Sequence, residues 1–305
     1  MAAHTNVCVI GLGSMGMGAA RACLQAGLNT WGVDINPDNC RALLAAGAKG
    51  AGAKGAGPSA VPFAADLDAV VLLVVNAAQV RGILFGETGL AAHLKPGTVV
   101  MVSSTIASAD AQAIAVALAE YQLLMLDAPV SGGAVKAAAG DMTVMASGSD
   151  AAFARLAPVL DAVAGKVYRI GSDIGLGSTV KIIHQLLAGV HIAVAAEAMA
   201  LAARAGIPLE TMYDVVTHAA GNSWMFENRM QHVLDGDYSP KSAVDIFVKD
   251  LGLVNDTARA LTFPLPLATT ALNMFTSASN AGFGREDDSA VIKIFKGITL
   301  PGHKQ

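Results

Sequence analysis

Short apolar runs alternate with helical stretches over the first half of the chain. The first run, Val7-Cys8-Val9-Ile10, is followed by a second, Thr30-Trp31-Gly32-Val33. Similar runs follow at 69–75, 98–102, 123–126, 142–146 and 167–170. Strands that alternate with helices are typical of a parallel, doubly wound sheet with helices on both faces. We therefore predict an α/β fold for this half of the chain.

The strand pattern disappears at Ser178. A helical pattern of nearly thirty residues begins there, with Ser178 as the expected N-cap, and it ends near Gly206-Ile207-Pro208. Further helical patterns cover 209–219, 224–234, 243–260, 266–281 and 289–296. We predict an α/β domain at 1–175 and an all-α domain at 176–305, joined by one long helix. Helices this apolar usually bury surface against another domain or subunit, so we expect a homo-oligomer, either a dimer or a tetramer.

The first apolar run leads directly into a glycine-rich turn, Gly11-Leu12-Gly13-Ser14-Met15-Gly16. Gly11 permits a tight turn, Gly13 lets the backbone approach a pyrophosphate, and Gly16 lets the helix pack on the strand. The N-terminus of the following helix stabilises an anion. Because a strand precedes the turn and a helix follows it, the pattern predicts a Rossmann-type dinucleotide-binding domain.

An acid closes the second apolar run and indicates which dinucleotide is bound. The Asp34 carboxylate can accept hydrogen bonds from the adenosine ribose, but it would repel the extra phosphate of NADP. Neither Ile35 nor Asn36 offers a compensating positive charge. We therefore expect NAD as the cofactor. The alternative is that Asp34 only begins a turn with Asn36-Pro37.

Composition and charge exclude several classes of protein. The chain has 305 residues, 53% of them apolar, and a net charge of −4, and its basic residues are scattered, so nucleic acid is not an expected partner. The first residues lack the pattern of a secretion signal, and we expect the cytoplasm. Cys8, Cys23 and Cys40 have no paired spacing and are expected to be free thiols.

Two further segments, one apolar and one repetitive, are not expected to contribute to the chemistry. Residues 186–203 are apolar enough to suggest a membrane span, but His191 and Glu197 interrupt them, so a buried helix of a soluble protein is expected. The segment Gly-Ala-Lys-Gly-Ala occurs twice in tandem between Gly47 and Gly57, which predicts a flexible surface loop.

Polar residues follow three of the predicted strands, where ligands of such sheets bind. Asn76 follows one strand and Ser103-Ser104-Thr105 the next, and either cofactor contact or simple turn chemistry would explain them. Ser131-Gly132-Gly133 lies shortly after a third, where a hydroxyl and backbone N–H groups could hold a substrate carboxylate. An ordinary tight turn is the alternative reading for this segment.

Lys181 is the candidate acid/base. In the first turn of the predicted long helix, its ammonium form is disfavoured by the helix dipole, by burial and by an oxidised nicotinamide, so it could serve as the base in alcohol oxidation. His184 and Gln185 share its helical face. Gln185 could hold the substrate or the lysine, whereas His184 could carry a proton or simply be packed.

The remaining polar groups do not suggest a metal site. His184 and His191 are two helical turns apart, about 10 Å along the axis, which is too far for one ion to be shared. Lys249-Asp250 lies inside an apolar helical pattern, where the lysine could reach the cofactor or form an ordinary surface ion pair.

Together these motifs resemble the β-hydroxyacid dehydrogenase family along essentially the whole chain. Four blocks match in order: the glycine turn at 11–16, 127–133 continuing to 140–143, Gly175-Leu176-Gly177 through Lys181, and Lys249-Asp250-Leu251. The resemblance implies Lys181 as the catalytic acid/base and Ser131, Gly132 and Gly133 as the carboxylate site. It also implies Asn76, Thr105 and Lys249 as cofactor contacts.

One departure from the family pattern concerns the substrate. The family usually has two asparagines where this chain has His184 and Gln185, and the second of them assists with the substrate. Together with the segment 222–229, His184 and Gln185 resemble the sequence of a branch of the family that oxidises a four-carbon sugar acid with NAD. Other expected acids are 3-hydroxyisobutyrate, D-glycerate with tartronate semialdehyde, and 4-hydroxybutyrate. Lys181 argues against both an inactive NAD-binding module and an imine reductase.

Overall fold

The computed structural model describes residues 5–48 and 59–301 and contains a strand-rich and a helical part. Most of the repeat between Gly47 and Gly57 lies outside the described residues. The strands are β1 (Asn6–Ile10), β2 (Asn29–Val33), β3 (Ala69–Leu72), β4 (Val99–Val102), β5 (Leu124–Asp127), β6 (Val130–Ser131), β7 (Met142–Ser147) and β8 (Ala164–Gly171).

In the described part of the chain, six α-helices accompany these strands, and five more include or follow the long helix. They are α1 (Ser14–Gln25), α2 (Pro37–Ala45), α3 (Ala77–Phe85), α4 (Ser108–Glu120), α5 (Gly133–Ala138), α6 (Asp150–Val163), α7 (Leu176–Arg204), α8 (Leu209–Thr217), α9 (Trp224–Asp235), α10 (Val244–Ala260) and α11 (Pro266–Ala278). Short 3₁₀-helices cover Val61–Asp66, Leu90–His93 and Asp288–Ile294, and a π-helix covers Ser279–Phe283. The predicted fold class, a Rossmann-type domain followed by an all-α domain and linked by a long helix, is confirmed.

The eight strands found in residues 5–48 and 59–301 form one sheet in the order β2-β1-β3-β4-β5-β7-β6, with β8 beside β7. The prediction of parallel strands is correct for β1 to β5 and for the pair β7 and β8, but it is wrong where β7 runs antiparallel to both β5 and β6. Only two residues join β5 to β6, and residues 132–141 join β6 to β7. These connections are too short for the crossover that parallel pairing requires.

Alternate side chains of the sheet enter two separate cores. Val7 and Val9 of β1 pack in one apolar cluster, whereas Cys8 and Ile10 pack in the other. Because both faces are covered, these strands read as continuous apolar runs rather than as alternating ones. All three cysteines are buried and free, as the sequence predicted.

The described chain forms two compact units, Met1–Lys181 and Ile182–Gln305, and α7 contributes residues to both. The domain limits at 175 and 176 remain a prediction. Helix α7 is long and apolar enough to span a membrane by composition. However, Ile192, Ala196 and Met199 are buried in the apolar core of the second unit. Helix α7 is thus the core helix of a soluble domain.

Two of the predicted helices differ in detail. The pattern at 266–281 predicted one helix, but α11 ends at Ala278 and a π-helix follows, in which Gly282 has φ +94°. This backbone conformation is outside the right-handed helical region and interrupts the regular hydrogen-bond ladder. The pattern at 289–296 corresponds to the 3₁₀-helix Asp288–Ile294 rather than to an α-helix.

Candidate active site

The three glycines of the turn after β1 differ in what surrounds them. A Cβ on Gly11, where φ is +90°, would lie 2.5 Å from the carbonyl oxygen of Leu73, and one on Gly16 would lie 1.7 Å from that of Gly11. A Cβ on Gly13 would meet no protein atom within 4 Å. The fold itself therefore requires Gly11 and Gly16. Gly13 borders open space at the start of α1, which fits the close approach of a diphosphate.

The sheet topology places this turn where such ligands bind. The strand order reverses between β1 and β3, and ligands of doubly wound sheets bind at the carboxyl ends of the strands on either side of such a reversal. Gly11 follows β1, and Leu73 follows β3. The Val74 N–H donates to Ser104 Oγ (3.2 Å), which links the end of β3 to the residues that follow β4.

Asp34 stands at the end of β2 with its carboxylate between two loops. Its Oδ2 accepts a hydrogen bond from the Leu12 N–H (2.6 Å), and its Oδ1 accepts one from the Asn36 N–H (2.7 Å). A carboxylate has about four acceptor positions, so both oxygens retain capacity for ribose hydroxyls. The neighbouring Ile35 is 90% exposed, and no cation lies directly beside Asp34 in the sequence.

Asn76 has the turn chemistry that we gave as the alternative to cofactor contact. It is the N-cap of α3, where its Oδ1 accepts from the Gln79 N–H at 2.9 Å. The Asn76 amide nitrogen can still donate to a ligand, so the two roles are compatible. Thr105 is half-buried beyond the end of β4. The cofactor roles of both residues remain predictions.

The Ser131-Gly132-Gly133 segment forms a sharp turn between β6 and α5. Gly132 has φ +130° and Gly133 has φ +71°, which residues with a side chain rarely adopt. A Cβ on Gly133 would meet nothing within 4 Å, so its backbone borders open space. This geometry is compatible with a carboxylate that approaches the Gly133 backbone.

The sequence did not reveal how the start of the long helix is held. The Asp127 carboxylate, fully buried at the end of β5, accepts hydrogen bonds from the N–H groups of Gly175 and Ser178 (both 2.9 Å) and from Ser178 Oγ (2.6 Å). Ser147 Oγ accepts from the Gly177 N–H at 3.0 Å. Burial raises the pKa of Asp127, and the hydrogen bonds from Ser178, Gly175 and Ser147 oppose that rise. An acid directly after a buried strand was the available sequence signal.

This arrangement corrects two predictions. Ser178 is not the N-cap of α7, because the helix begins at Leu176, where Asp127 and Ser147 satisfy backbone donors that a local cap would otherwise serve. Lys181 is therefore the sixth residue of the helix and lies beyond the first turn. The effect of the helix dipole fades within the first turn, so the dipole is not the main factor that disfavours the ammonium form of Lys181. Burial still disfavours that form, because Lys181 is only 6% exposed.

A second set of polar side chains joins α7 to α10 within the second unit. Gln185 Nε2 donates to Asp250 Oδ2 (2.6 Å), and Lys249 Nζ pairs with Asp250 Oδ1 (2.6 Å). His184 Nδ1 lies 3.0 Å from Gln185 Oε1. We call these four residues the Asp250 cluster. Because Asp250 is 2% exposed, the Lys249 pair is not the surface ion pair that we gave as an alternative.

Asp250 is the member of this cluster whose role sequence reasoning missed. An acid inside an apolar helical pattern was the only signal. Among residues 5–48 and 59–301, no group of three or more histidine, cysteine or acidic side chains is arranged to hold a metal ion.

Two family models together match nearly the whole chain. The NAD-binding domain of 6-phosphogluconate dehydrogenase matches residues 6–171. The NAD-binding domain of NADP-dependent 3-hydroxyisobutyrate dehydrogenase matches residues 175–295.

Curated relatives and a solved structure agree with these models. The L-threonate dehydrogenase of Escherichia coli strain K12 is 76% identical over 299 residues, which cover 98% of this chain and 97% of the relative. The L-threonate dehydrogenase of Haemophilus influenzae is 69% identical and covers 97% of each chain. A crystal structure described as 3-hydroxyisobutyrate dehydrogenase from Salmonella typhimurium has 75% identity and a TM-score of 0.91, and the match covers 95% of this chain and all of that one. The chain therefore belongs to the β-hydroxyacid dehydrogenase family and is an NAD-dependent hydroxyacid dehydrogenase.

Proposed function

We propose that the enzyme oxidises L-threonate to 2-dehydro-L-erythronate with NAD. The observation that carries this substrate is the 76% identity to an L-threonate dehydrogenase along nearly the whole of both chains. L-Threonate is a four-carbon acid with several hydroxyl groups. The hydrogen-bonding side chains of His184 and Gln185 suit such a substrate, because it can form more hydrogen bonds with them than a less polar acid can.

The residues of the glycine turn and Asp34 would hold the cofactor. The backbone at Gly13 borders open space that would accommodate the diphosphate, and the Asp34 carboxylate would accept hydrogen bonds from the adenosine ribose. Asn76, Thr105 and Lys249 are further proposed contacts. When bound, NAD supplies the acceptor for the hydride that leaves the carbinol carbon.

Lys181 is the proposed acid/base. Its buried amine, in the neutral form, takes the proton of the substrate hydroxyl while the carbon–oxygen bond becomes a carbonyl. In the reverse direction the ammonium returns that proton. Ser131, Gly132 and Gly133 hold the substrate carboxylate through a hydroxyl and backbone N–H groups, and Gln185 and His184 bind the remaining polar groups of the substrate.

The name of the solved relative favours a second candidate substrate, 3-hydroxyisobutyrate. This acid carries a methyl branch and one hydroxyl, so it would form fewer hydrogen bonds with the polar side chains. D-Glycerate and 4-hydroxybutyrate are further candidates within the same chemistry. L-Threonate is the better match to the polar residues at positions 184 and 185.

We further propose a cytoplasmic homo-oligomer. Ile183, Leu187, Val194 and Leu201 of α7 are each more than half exposed, at 57, 53, 54 and 68%. They recur at four- and seven-residue spacing and therefore follow one side of the helix. A second copy of the chain is the proposed cover for this apolar stripe.

Initial rates on a panel of acids test the substrate, with L-threonate, 3-hydroxyisobutyrate, D-glycerate and 4-hydroxybutyrate each supplied with NAD or NADP. We expect kcat/KM for L-threonate with NAD to exceed that for the other acids by at least about 100-fold. The double variant His184→Asn/Gln185→Asn is the matched control and should narrow this preference. No activity on L-threonate would refute the proposed substrate, and equal rates with NADP would refute the role of Asp34.

A further inference from the structure

The hydrogen bonds of the Asp250 cluster have a direction that can be determined from its chemistry. An ionised carboxylate only accepts hydrogen bonds, and Asp250 Oδ1 lies 2.6 Å from Lys249 Nζ in an ion pair. The group that faces Asp250 Oδ2 must therefore be a donor. In Gln185 this is the amide nitrogen, whose Nε2 lies 2.6 Å from Oδ2. Asp250 thereby determines which way round the Gln185 amide lies.

The orientation of the amide determines the state of its other neighbour. With Nε2 turned to Asp250, Gln185 presents Oε1 to His184 Nδ1 at 3.0 Å. An amide oxygen cannot donate, so His184 Nδ1 carries the hydrogen. In neutral imidazole the second nitrogen then has the lone pair. The reversed amide would place two oxygens against each other at Asp250 and is disfavoured.

We propose that Asp250 is a positioning residue that acts through Gln185 to hold His184 in the Nδ1–H tautomer. His184 Nε2 is then the nitrogen that accepts a hydrogen bond from a hydroxyl of a polyhydroxylated acid. The role of a substrate hydroxyl as the donor rests on the proposed function, whereas the assignment of the tautomer does not. We call this series of hydrogen bonds, from Asp250 through Gln185 to His184, the relay. The relay makes His184 an acceptor on the substrate side and so favours substrates with an additional hydroxyl donor.

The position of Asp250 in the fold supports this role. Its neighbours Phe247, Leu251 and Val254 on α10 are buried in the core of the second unit, which fixes the helix that carries the carboxylate. Asp250 is itself 2% exposed and Gln185 is 7% exposed. Because neither side chain has much contact with water, the orientation of the amide depends on its protein partners.

The tautomer can be measured directly by NMR on the full-length enzyme labelled with ¹⁵N at histidine. Measurements at a pH of about 8.5, two units above the ordinary histidine pKa, keep the rings neutral. Comparison with the His184→Asn variant assigns the His184 signals. We expect the Nδ1–H tautomer at His184 in the unsubstituted enzyme, and a predominant Nε2–H tautomer there would overturn the proposal even if every variant failed to fold.

Asp250→Asn tests the relay. The substituted amide can donate to Gln185 Oε1, which turns the Gln185 amide and makes His184 Nδ1 an acceptor. We expect the Nε2–H tautomer to rise to at least about half of the population, and no change at His184 would overturn the relay. Lys249→Met is the matched control because it removes the other partner of Asp250 and should retain Nδ1–H. His232, which bonds to Asp287, should not change in any variant.

Steady-state kinetics test separately whether Asp250 contributes to the selection of the substrate. We expect Asp250→Asn to lower kcat/KM for L-threonate by about 30-fold, and for 4-hydroxybutyrate, which has no additional hydroxyl, by less than about threefold. Equal losses on both acids would overturn the selective role. Because the tautomer is observed without substrate, its result is independent of whether L-threonate is the substrate.

Discussion

The glycine turn of the first unit and the Asp250 cluster of the second unit depend on different physical requirements. At the turn, shape is decisive: two glycines are enclosed so closely by backbone that a methyl group would not fit. In the cluster, the direction of each hydrogen bond is decisive, and the side chains could change chemistry with little change in volume. The comparison teaches that steric requirements act locally along the chain, whereas hydrogen-bond direction depends on distant partners.

The two regions should therefore respond differently to small substitutions. A single methyl group is a severe change at an enclosed glycine and a mild one at an open glycine. In the second unit, replacing one oxygen by nitrogen alters protonation or tautomer while the packing is retained. The second unit also contains the buried carboxyl group of Asp288, whose protonation makes the stability of that unit sensitive to pH.

The largest effect is expected at Gly16. Gly16→Ala would place a Cβ 1.7 Å from the carbonyl oxygen of Gly11, which belongs to the backbone and cannot simply rotate away. We expect the free energy of unfolding to fall by at least about 3 kcal/mol, measured by urea denaturation.

Gly13→Ala is the matched control within the same turn, because its Cβ would meet no protein atom within 4 Å. We expect the free energy of unfolding to remain within about 1 kcal/mol of the original value. The Kd for NAD, measured by calorimetry, should nevertheless rise at least about tenfold, since the methyl group occupies space proposed for the diphosphate. Unchanged NAD affinity, or equal loss of stability in both variants, would contradict this account of the turn.

A smaller effect is expected from pH in the second unit. Burial raises the pKa of Asp288 from 3.8 to about 6, although Arg229 Nε lies 2.6 Å from its carboxylate. Because the folded state holds this proton more tightly than the unfolded state, stability is gained as pH falls through 6 and lost as pH rises. Burial alone would raise the pKa of Asp287, but hydrogen bonds from His232, Ser289 and the Lys241 N–H lower it to about 2, so it does not titrate in this range.

The measurement is urea unfolding at pH 7 and pH 5 for the original enzyme and for Asp288→Asn. We expect Asp288 to contribute about 1 kcal/mol of additional stability at pH 5, seen as the difference between the two pH responses. Identical responses in both proteins would show that Asp288 does not titrate between these values.

The features predicted correctly from the sequence were those specified by local patterns. The glycine turn, the acid after β2 and the change from strands to helices each depend on residues that are close together in the chain. The antiparallel end of the sheet was missed because β6 has only two residues and no apolar period of its own. Its direction follows from short connections rather than from composition.

The contacts missed by sequence reasoning join residues that are distant in the chain. Asp127 caps a helix that begins about fifty residues later, and Asp250 meets Gln185 across 65 positions. Without the Asp127 contacts, Ser178 was the best local N-cap, and Lys181 was placed one turn too close to the helix end. Side-chain pairing over such separations depends on the packed structure and leaves no periodic signal.

The central claim is that the buried amine of Lys181 exchanges the proton of the substrate hydroxyl. The most direct test compares Lys181→Ala with the original enzyme by single-turnover absorbance of NADH on L-threonate, together with the Kd for NAD. We expect the rate of hydride transfer to fall by about 10²- to 10⁴-fold while the Kd for NAD changes less than about threefold. A variant that transfers hydride at the original rate would contradict the claim.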